Sequence, residues 1–264
     1  MTRFVIRAVA ILGGLYLAML AALYFGQEKL LFAPTSLPAN YVFAKPGVAE
    51  VSIPVQGATL HGLHFTHPGA KGLVFYLHGN AGNVDTWLTN TEFYQRAGFD
   101  VFMLDYRGYG KSSGRIQGEA QLHADVRAAY DTLAPRYQGK RIVLFGRSLG
   151  TALAAKLAAD VKPALTVLVS PYSSMARIAR EQYPFAPAAL LRYPLDTQAF
   201  LAQVDTPVLI LHGQADTLIP LAHGERLAQS GKNIRLVRVP EAGHNNIHQV
   251  AAYLEPLADA LKRL

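Results

Sequence analysis

The stretch Arg141-Ile142-Val143-Leu144-Phe145-Gly146-Arg147-Ser148-Leu149-Gly150-Thr151-Ala152-Leu153-Ala154-Ala155 decides the fold. Residues 142–145 form a short continuous apolar run, as expected of a strand covered on both faces. Residues 149–159 read as a helix. Between them Gly146-Arg147-Ser148-Leu149-Gly150 fits G-x-S-x-G, a strained strand-to-helix turn that exposes a serine hydroxyl. The glycines are a steric requirement, because a Cβ at either flank would clash with the neighbouring strand and helix. The plainer reading is an ordinary turn whose serine caps the helix. The strand–turn–helix context favours the first.

Outward from this turn, short β-branched or apolar runs alternate with amphipathic segments. Residues 51–55 and 60–65 read as a hairpin around Gly57-Ala58. Residues 73–77, 101–104, 165–169, 208–211 and 234–239 read as further strands. Helices are expected over 85–97, 118–134, 149–159, 220–230 and 248–264. Leu122, Val126, Ala129, Tyr130 and Leu133 give the second of these a 3.6-residue apolar stripe. This alternation predicts an α/β fold, a mostly parallel doubly wound sheet with helices on both faces. Residues 171–204 break the pattern. Pro184, Pro187 and Pro194 interrupt any long helix there, which marks a small cap inserted between two strands.

A serine hydroxyl is a weak nucleophile near neutral pH and needs a base that a third group orients. The strand at 208–211 leads into His212-Gly213-Gln214-Ala215-Asp216, and the strand at 234–239 leads to Gly243-His244-Asn245. Ser148, Asp216 and His244 thus all fall just beyond the C-terminal ends of parallel strands, where such sheets place their sites. Their order along the chain, Ser then Asp then His, suits this turn. His248 is expected one turn into the last helix, at the surface or as a cap. Asp205, before Thr206-Pro207, sits at the wrong end of the sheet. A tetrahedral adduct needs two N–H donors. The candidates are Leu149, directly after the serine, and Asn80 in Leu77-His78-Gly79-Asn80-Ala81-Gly82-Asn83, where Asn83 also reads as a turn cap.

Two other patterns carry less. Gly110-Lys111-Ser112 imitates a phosphate-binding loop, but that motif requires a glycine where Asp105 stands. His61, His64 and His67 alternate faces of a strand and do not converge easily on a metal. No metal and no cofactor are expected.

The 264 residues are 51% hydrophobic and 16% charged, which excludes a disordered chain. The absence of cysteine excludes a disulfide scaffold, thiol catalysis and thiolate-held metals. Of the net +7, residues 30–264 carry +5, from 22 basic and 17 acidic side chains. These are dispersed rather than clustered as a nucleic-acid surface requires, so no nucleic-acid partner is expected. Residues 1–29 stand apart: Arg3 and Arg7 precede an uncharged run, of which Ala8–Phe25 alone spans roughly 27 Å as helix. We read 1–29 as an uncleaved membrane anchor and 30–264 as one domain. The alternative is a cleaved signal peptide and a secreted product. Either way the arginines stay cytoplasmic, and the domain lies on the exported, periplasmic or extracytoplasmic side.

Taken together, these motifs and Asp105-Tyr106-Arg107-Gly108-Tyr109-Gly110 resemble the α/β-hydrolase superfamily over roughly residues 50–264. More narrowly the chain is similar to membrane-anchored α/β-hydrolase-domain serine hydrolases of bacteria and eukaryotes, among them protein depalmitoylases. The resemblance implies the α/β-hydrolase fold and a Ser148–His244–Asp216 hydrolase of carboxylic ester or thioester bonds. Asn246 departs from it, since relatives often carry an acidic residue there; the departure concerns specificity, not the triad. Tyr172, Met175, Tyr183, Phe185, Leu190, Leu191 and Tyr193 give the cap an apolar character. That suits a small-molecule or lipid-like acyl substrate beside the membrane. The same residues could instead simply pack the cap against the sheet. A serine peptidase with the same triad and a non-catalytic binding protein are the alternative functions.

Overall fold

The computed structural model describes residues 2–45, 47–88 and 90–264. The expected hairpin comprises β1 (Val48–Val55) and β2 (Ala58–Phe65), paired antiparallel around Gly57, whose φ of +73° suits glycine. The apolar runs that follow are β3 (Gly72–Leu77), β4 (Phe99–Asp105), β5 (Arg141–Arg147), β6 (Leu165–Val169), β7 (Val208–Gly213) and β8 (Ile234–Val239). They form one eight-stranded sheet in the order β8-β7-β6-β5-β3-β4-β2-β1. The pairs from β8 to β4 are parallel, and the hairpin extends the sheet antiparallel beyond β4. Strands β3, β4 and β6 are buried at every residue, because apolar layers cover both faces.

From β3 the chain crosses to β4 on one side and then to β5 on the other. Such a reversal opens a crevice at the C-terminal ends of the two strands that part. Leu77 lies opposite Gly146, so the loop after β3 and the turn after β5 emerge side by side.

Helix α1 (Thr2–Leu31) holds 30 residues, and Arg3–Leu31 is long and apolar enough to cross a membrane. It is compatible with an anchor or with a signal sequence; Met1 of the expected anchor lies outside the described residues. The end of α1 is joined to the cap. The buried Gln27 donates to the Leu190 carbonyl (2.7 Å) and accepts the Arg192 N–H (2.8 Å). Glu28 pairs with the Arg192 guanidinium (2.6 Å) and accepts the Tyr193 hydroxyl (3.0 Å). Beyond the helix, Ala33 and Pro34 pair in parallel with Ala81 and Gly82.

The single helix expected over 85–97 is instead two, α2 (Val84–Trp87) and α3 (Thr91–Arg96). Asn90 breaks it by taking a left-handed conformation (φ +61°), while Thr89 lies outside the described residues. Asn83 caps α2 through its side-chain oxygen, and its own N–H donates in return to the Thr86 hydroxyl oxygen (3.0 Å). Next come α4 (Glu119–Leu133), α5 (Gly150–Val161), then α6 (Met175–Gln182) and α7 (Thr197–Leu201) within the cap, and α8 (Leu221–Ala228). The last helix, α9 (Ala251–Lys262), starts later than expected. His248 belongs to a preceding 3-10 turn (Ile247–Gln249) and is half-buried rather than a surface residue of the helix. Tyr172 and Tyr193 of the cap are core residues, which settles those two in favour of packing.

Helix α5 approaches β3 closely. A Cβ on Gly150 would overlap the Leu77 carbonyl oxygen and lie 2.7 Å from that of His78. A Cβ on Gly146 would lie 2.8 Å from the Ala154 Cβ. Alanine for glycine inside a helix ordinarily stabilises by about 1 kcal/mol. Here overpacking reverses the sign, and Gly150→Ala is expected to destabilise by about 1–3 kcal/mol, read from urea midpoints of the full chain in detergent. A raised midpoint would show that the backbone can retreat.

Candidate active site

Ser148 sits at the apex between β5 and α5 with φ +51°, a left-handed conformation that non-glycine residues seldom adopt. The apex is held on both sides. Its N–H donates to the Val169 carbonyl (2.9 Å), and its own carbonyl accepts the Thr151 N–H (3.0 Å) and hydroxyl (2.6 Å). The serine is buried at 7% exposure.

The loops after β7 and β8 bring the other two predicted residues to it. His244 Nε2 lies 3.1 Å from Ser148 Oγ, and its Nδ1 lies 2.8 Å from Asp216 Oδ2. With Asp216 ionised, Nδ1–H donates to the carboxylate and leaves Nε2 as acceptor for the serine proton. The other carboxylate oxygen of Asp216 accepts the N–H groups of Leu218 (3.1 Å) and Ile219 (2.8 Å). Burial pushes this carboxyl's pKa up, but the His244 and Ile219 hydrogen bonds outweigh burial and hold it below the usual value.

The loop after β3 faces the same point. A Cβ on Gly79 would stand in ordinary contact with the Ser148 Cβ, at 3.5 Å, but only 2.7 Å from the Trp87 ring, so it is the indole that requires glycine here. Tyr106 Oη donates to the His78 carbonyl (2.8 Å) and Tyr109 Oη to that of Asn80 (2.6 Å). The Ala33 N–H also donates to the Asn80 carbonyl (2.9 Å). These bonds pin the peptides on both sides of Gly79–Asn80. Among the described residues, no backbone or side-chain acceptor engages the N–H of Asn80 or of Leu149. Neither N–H is therefore tied to an acceptor among these residues.

The rivals stand elsewhere. Asp205 is exposed and 4.0 Å from Lys162. His61 pairs with Glu50 (2.8 Å), His64 with the Tyr137 hydroxyl (2.6 Å) and His67 with Asp100 (3.2 Å), three separate partners. Lys111, of the phosphate-loop imitation, binds Glu50 (2.6 Å). A second serine–histidine–carboxylate row had no signal in the sequence. Ser173 lies 3.0 Å from His223 Nδ1, and His223 Nε2 lies 3.1 Å from Glu181. It is the wrong way round for catalysis. His223 Nδ1 accepts the Ser173 backbone N–H (3.2 Å), and both side chains are within 2% of full burial. The row fastens the cap to α8. Sequence reasoning gave no role to Tyr106, Tyr109 or Arg147, although the two tyrosines stand in the quoted Asp105–Gly110 motif and Arg147 is a charge ending a buried strand.

A family model described as Serine aminopeptidase, S33 matches residues 68–194, which include the β3 loop and Ser148. An uncharacterized protein of Mycobacterium tuberculosis is 34% identical over 248 residues, 90% of this chain and 87% of that protein. The chain belongs to the α/β-hydrolase superfamily. It is a hydrolase by family. Alpha/beta hydrolase domain-containing protein 17C of Xenopus tropicalis is 36% identical over 203 residues, 72% of this chain and 61% of that protein. An esterase of Pyrococcus furiosus shares the fold with a TM-score of 0.69 and 22% identity, over 88% of this chain and 97% of that one.

The lowered Asp216 pKa fixes the sign of a pH effect. A carboxyl held below its unfolded value contributes stability that is fully present above that value and is lost as pH falls through the folded one. The stability difference between wild type and Asp216→Asn is therefore expected to be largest near neutral pH and to shrink below about pH 4. Urea midpoints of both proteins from pH 7 to pH 3 measure it; a difference independent of pH would refute the assignment.

Proposed function

We propose that this hydrolase cleaves carboxylic esters or thioesters through an acyl-enzyme on Ser148. The observation that carries the reading is the hydrogen-bonded row Ser148–His244–Asp216, with distances of 3.1 and 2.8 Å. His244 Nε2 takes the serine proton as Oγ attacks the acyl carbonyl carbon, and Asp216 stabilises the imidazolium and holds its tautomer. The N–H groups of Leu149 and Asn80 receive the oxyanion. Collapse breaks the bond to the alcohol or thiol, which leaves with the proton returned by His244. Water, deprotonated by His244, then attacks the acyl-enzyme, and the carboxylic acid departs as Ser148 regains its proton. No cofactor enters this sequence.

The acyl preference rests on the cap and on α1. An open cleft of about 170 Å³ lies between them, with Leu23, Leu30, Met175, Ile178, Leu190 and Leu191 among its walls. Such a lining suits a hydrocarbon chain. The name of the matched family model raises amide substrates as a second reading. The only acidic side chain on α6, Glu181, is engaged by Arg177 (3.0 Å) and His223, leaving no free carboxylate there for a substrate amino group. We assign α1 as an uncleaved anchor, because Gln27 and Glu28 on its last turns hold the cap.

Ser148→Ala is expected to abolish fluorophosphonate labelling and to lower ester hydrolysis by at least about 1,000-fold, as loss of a triad member does. Labelling that persists at another serine overturns the assignment. In a series of p-nitrophenyl esters and acyl thioesters, medium and long chains should exceed acetyl in kcat/KM. Faster turnover of aminoacyl anilides than of any ester would favour the peptidase. The intact mass of membrane-extracted protein should include residues 1–29; a product beginning near residue 27 means a cleaved signal.

A further inference from the structure

Arg147 precedes the serine on the elbow and is only 5% exposed. Among the described residues no carboxylate pairs with it. A buried guanidinium without a counter-ion is costly, and persists only where hydrogen bonds and stacking compensate. Its contacts are specific. Nη2 donates to the carbonyl oxygens of His244 (3.1 Å) and Asn245 (3.3 Å), and Nη1 lies 3.3 Å from His248 Nδ1. The guanidinium carbon lies 5.0 Å from the centre of the Trp87 ring.

Trp87 carries the linkage further. Its indole N–H donates to the Ala81 carbonyl (2.7 Å), and its ring atom Cη2 lies 2.7 Å from where a Cβ on Gly79 would be. One side chain on the nucleophile's own strand thus touches the loop carrying His244. Through Trp87 it also touches the loop carrying Asn80. We infer that Arg147 is a positioning residue: it sets the His244 loop so that Nε2 meets Ser148 Oγ, and couples that setting to the oxyanion loop. The inference rests on the catalytic reading of Ser148, His244 and Asp216. Arginine suits the task because a planar fork can donate along several directions while its face stacks on an indole. Lysine keeps the charge without the fork; methionine keeps the length without either.

The test uses the full chain in detergent with Arg147→Lys and Arg147→Met, reading kcat and KM on a p-nitrophenyl ester, the fluorophosphonate labelling rate, and urea midpoints. Trp87 is the only tryptophan, so its emission reports the stacked contact directly. A displaced base costs on the order of 100-fold in rate for about 1 Å. Arg147→Met should therefore lose about 100-fold in kcat and in labelling rate, with KM within about threefold of wild type. Arg147→Lys should recover part of that, to within about tenfold of wild type, and Trp87 emission should shift in both. A kcat for Arg147→Met equal to or above that of Arg147→Lys overturns the inference, since mere packing favours methionine. So does activity that falls only in step with the folded fraction. Trp87→Leu keeps the guanidinium and removes its platform; a kcat loss without a KM change is expected, and unchanged kcat overturns the coupling to the oxyanion loop. Labelling of wild-type Ser148 tests the catalytic reading by itself. The ratio of variant to wild type tests the inference.

Discussion

The site depends on how closely α5 can approach the end of β3, and that approach depends on hydrogen atoms standing where side chains would be. Gly150 presses against the Leu77 carbonyl and Gly146 against Ala154. With both contacts made, the chain has only Ser148 and Leu149 in which to turn from strand to helix, and Ser148 takes a left-handed backbone to do so. The same proximity sets Leu149 beside the loop after β3. The turn at Ser148 and the closeness of the loop after β3 therefore share one steric cause.

Electrostatics complete what sterics begin. Asp216 is buried, yet backbone N–H groups and His244 keep it in its charged form. The ring between it and the serine then has its proton fixed on the side facing the carboxylate. The neighbouring His212 illustrates the alternative outcome. It is buried with its Nε2 against the Ile219 carbonyl (2.8 Å), and burial lowers its pKa, so it remains a neutral strut. Two histidines close to one aspartate thus take different roles because only one reaches the serine.

Much of this architecture was legible in the chain. Apolar runs announced the parallel strands because burial on both faces leaves no room for alternation. The order of Ser148, Asp216 and His244 could be read because each follows a strand directly. The helix expected over 85–97 was misread because its periodicity runs through Asn90, and nothing local reveals that this residue turns left-handed. The start of α9 was misjudged for a related reason: His248 is held by Arg147, a residue about a hundred positions away. Tyr106 and Tyr109 form part of a loop motif, but their partners, the carbonyls of His78 and Asn80, are defined only once β3 and β4 lie side by side. Long-range polar contacts of this kind have no periodicity to betray them.

The segment after α1 has one more consequence. Only Phe32 separates Leu31, the last residue of the helix, from Ala33, whose N–H binds the Asn80 carbonyl. At about 3.3–3.6 Å per residue, the chain covers no more than about 7 Å between helix and site loop. So short a tether leaves little room for the crevice that holds Ser148 to rise away from the end of α1. With α1 in a bilayer, the crevice stands at one altitude above the lipid.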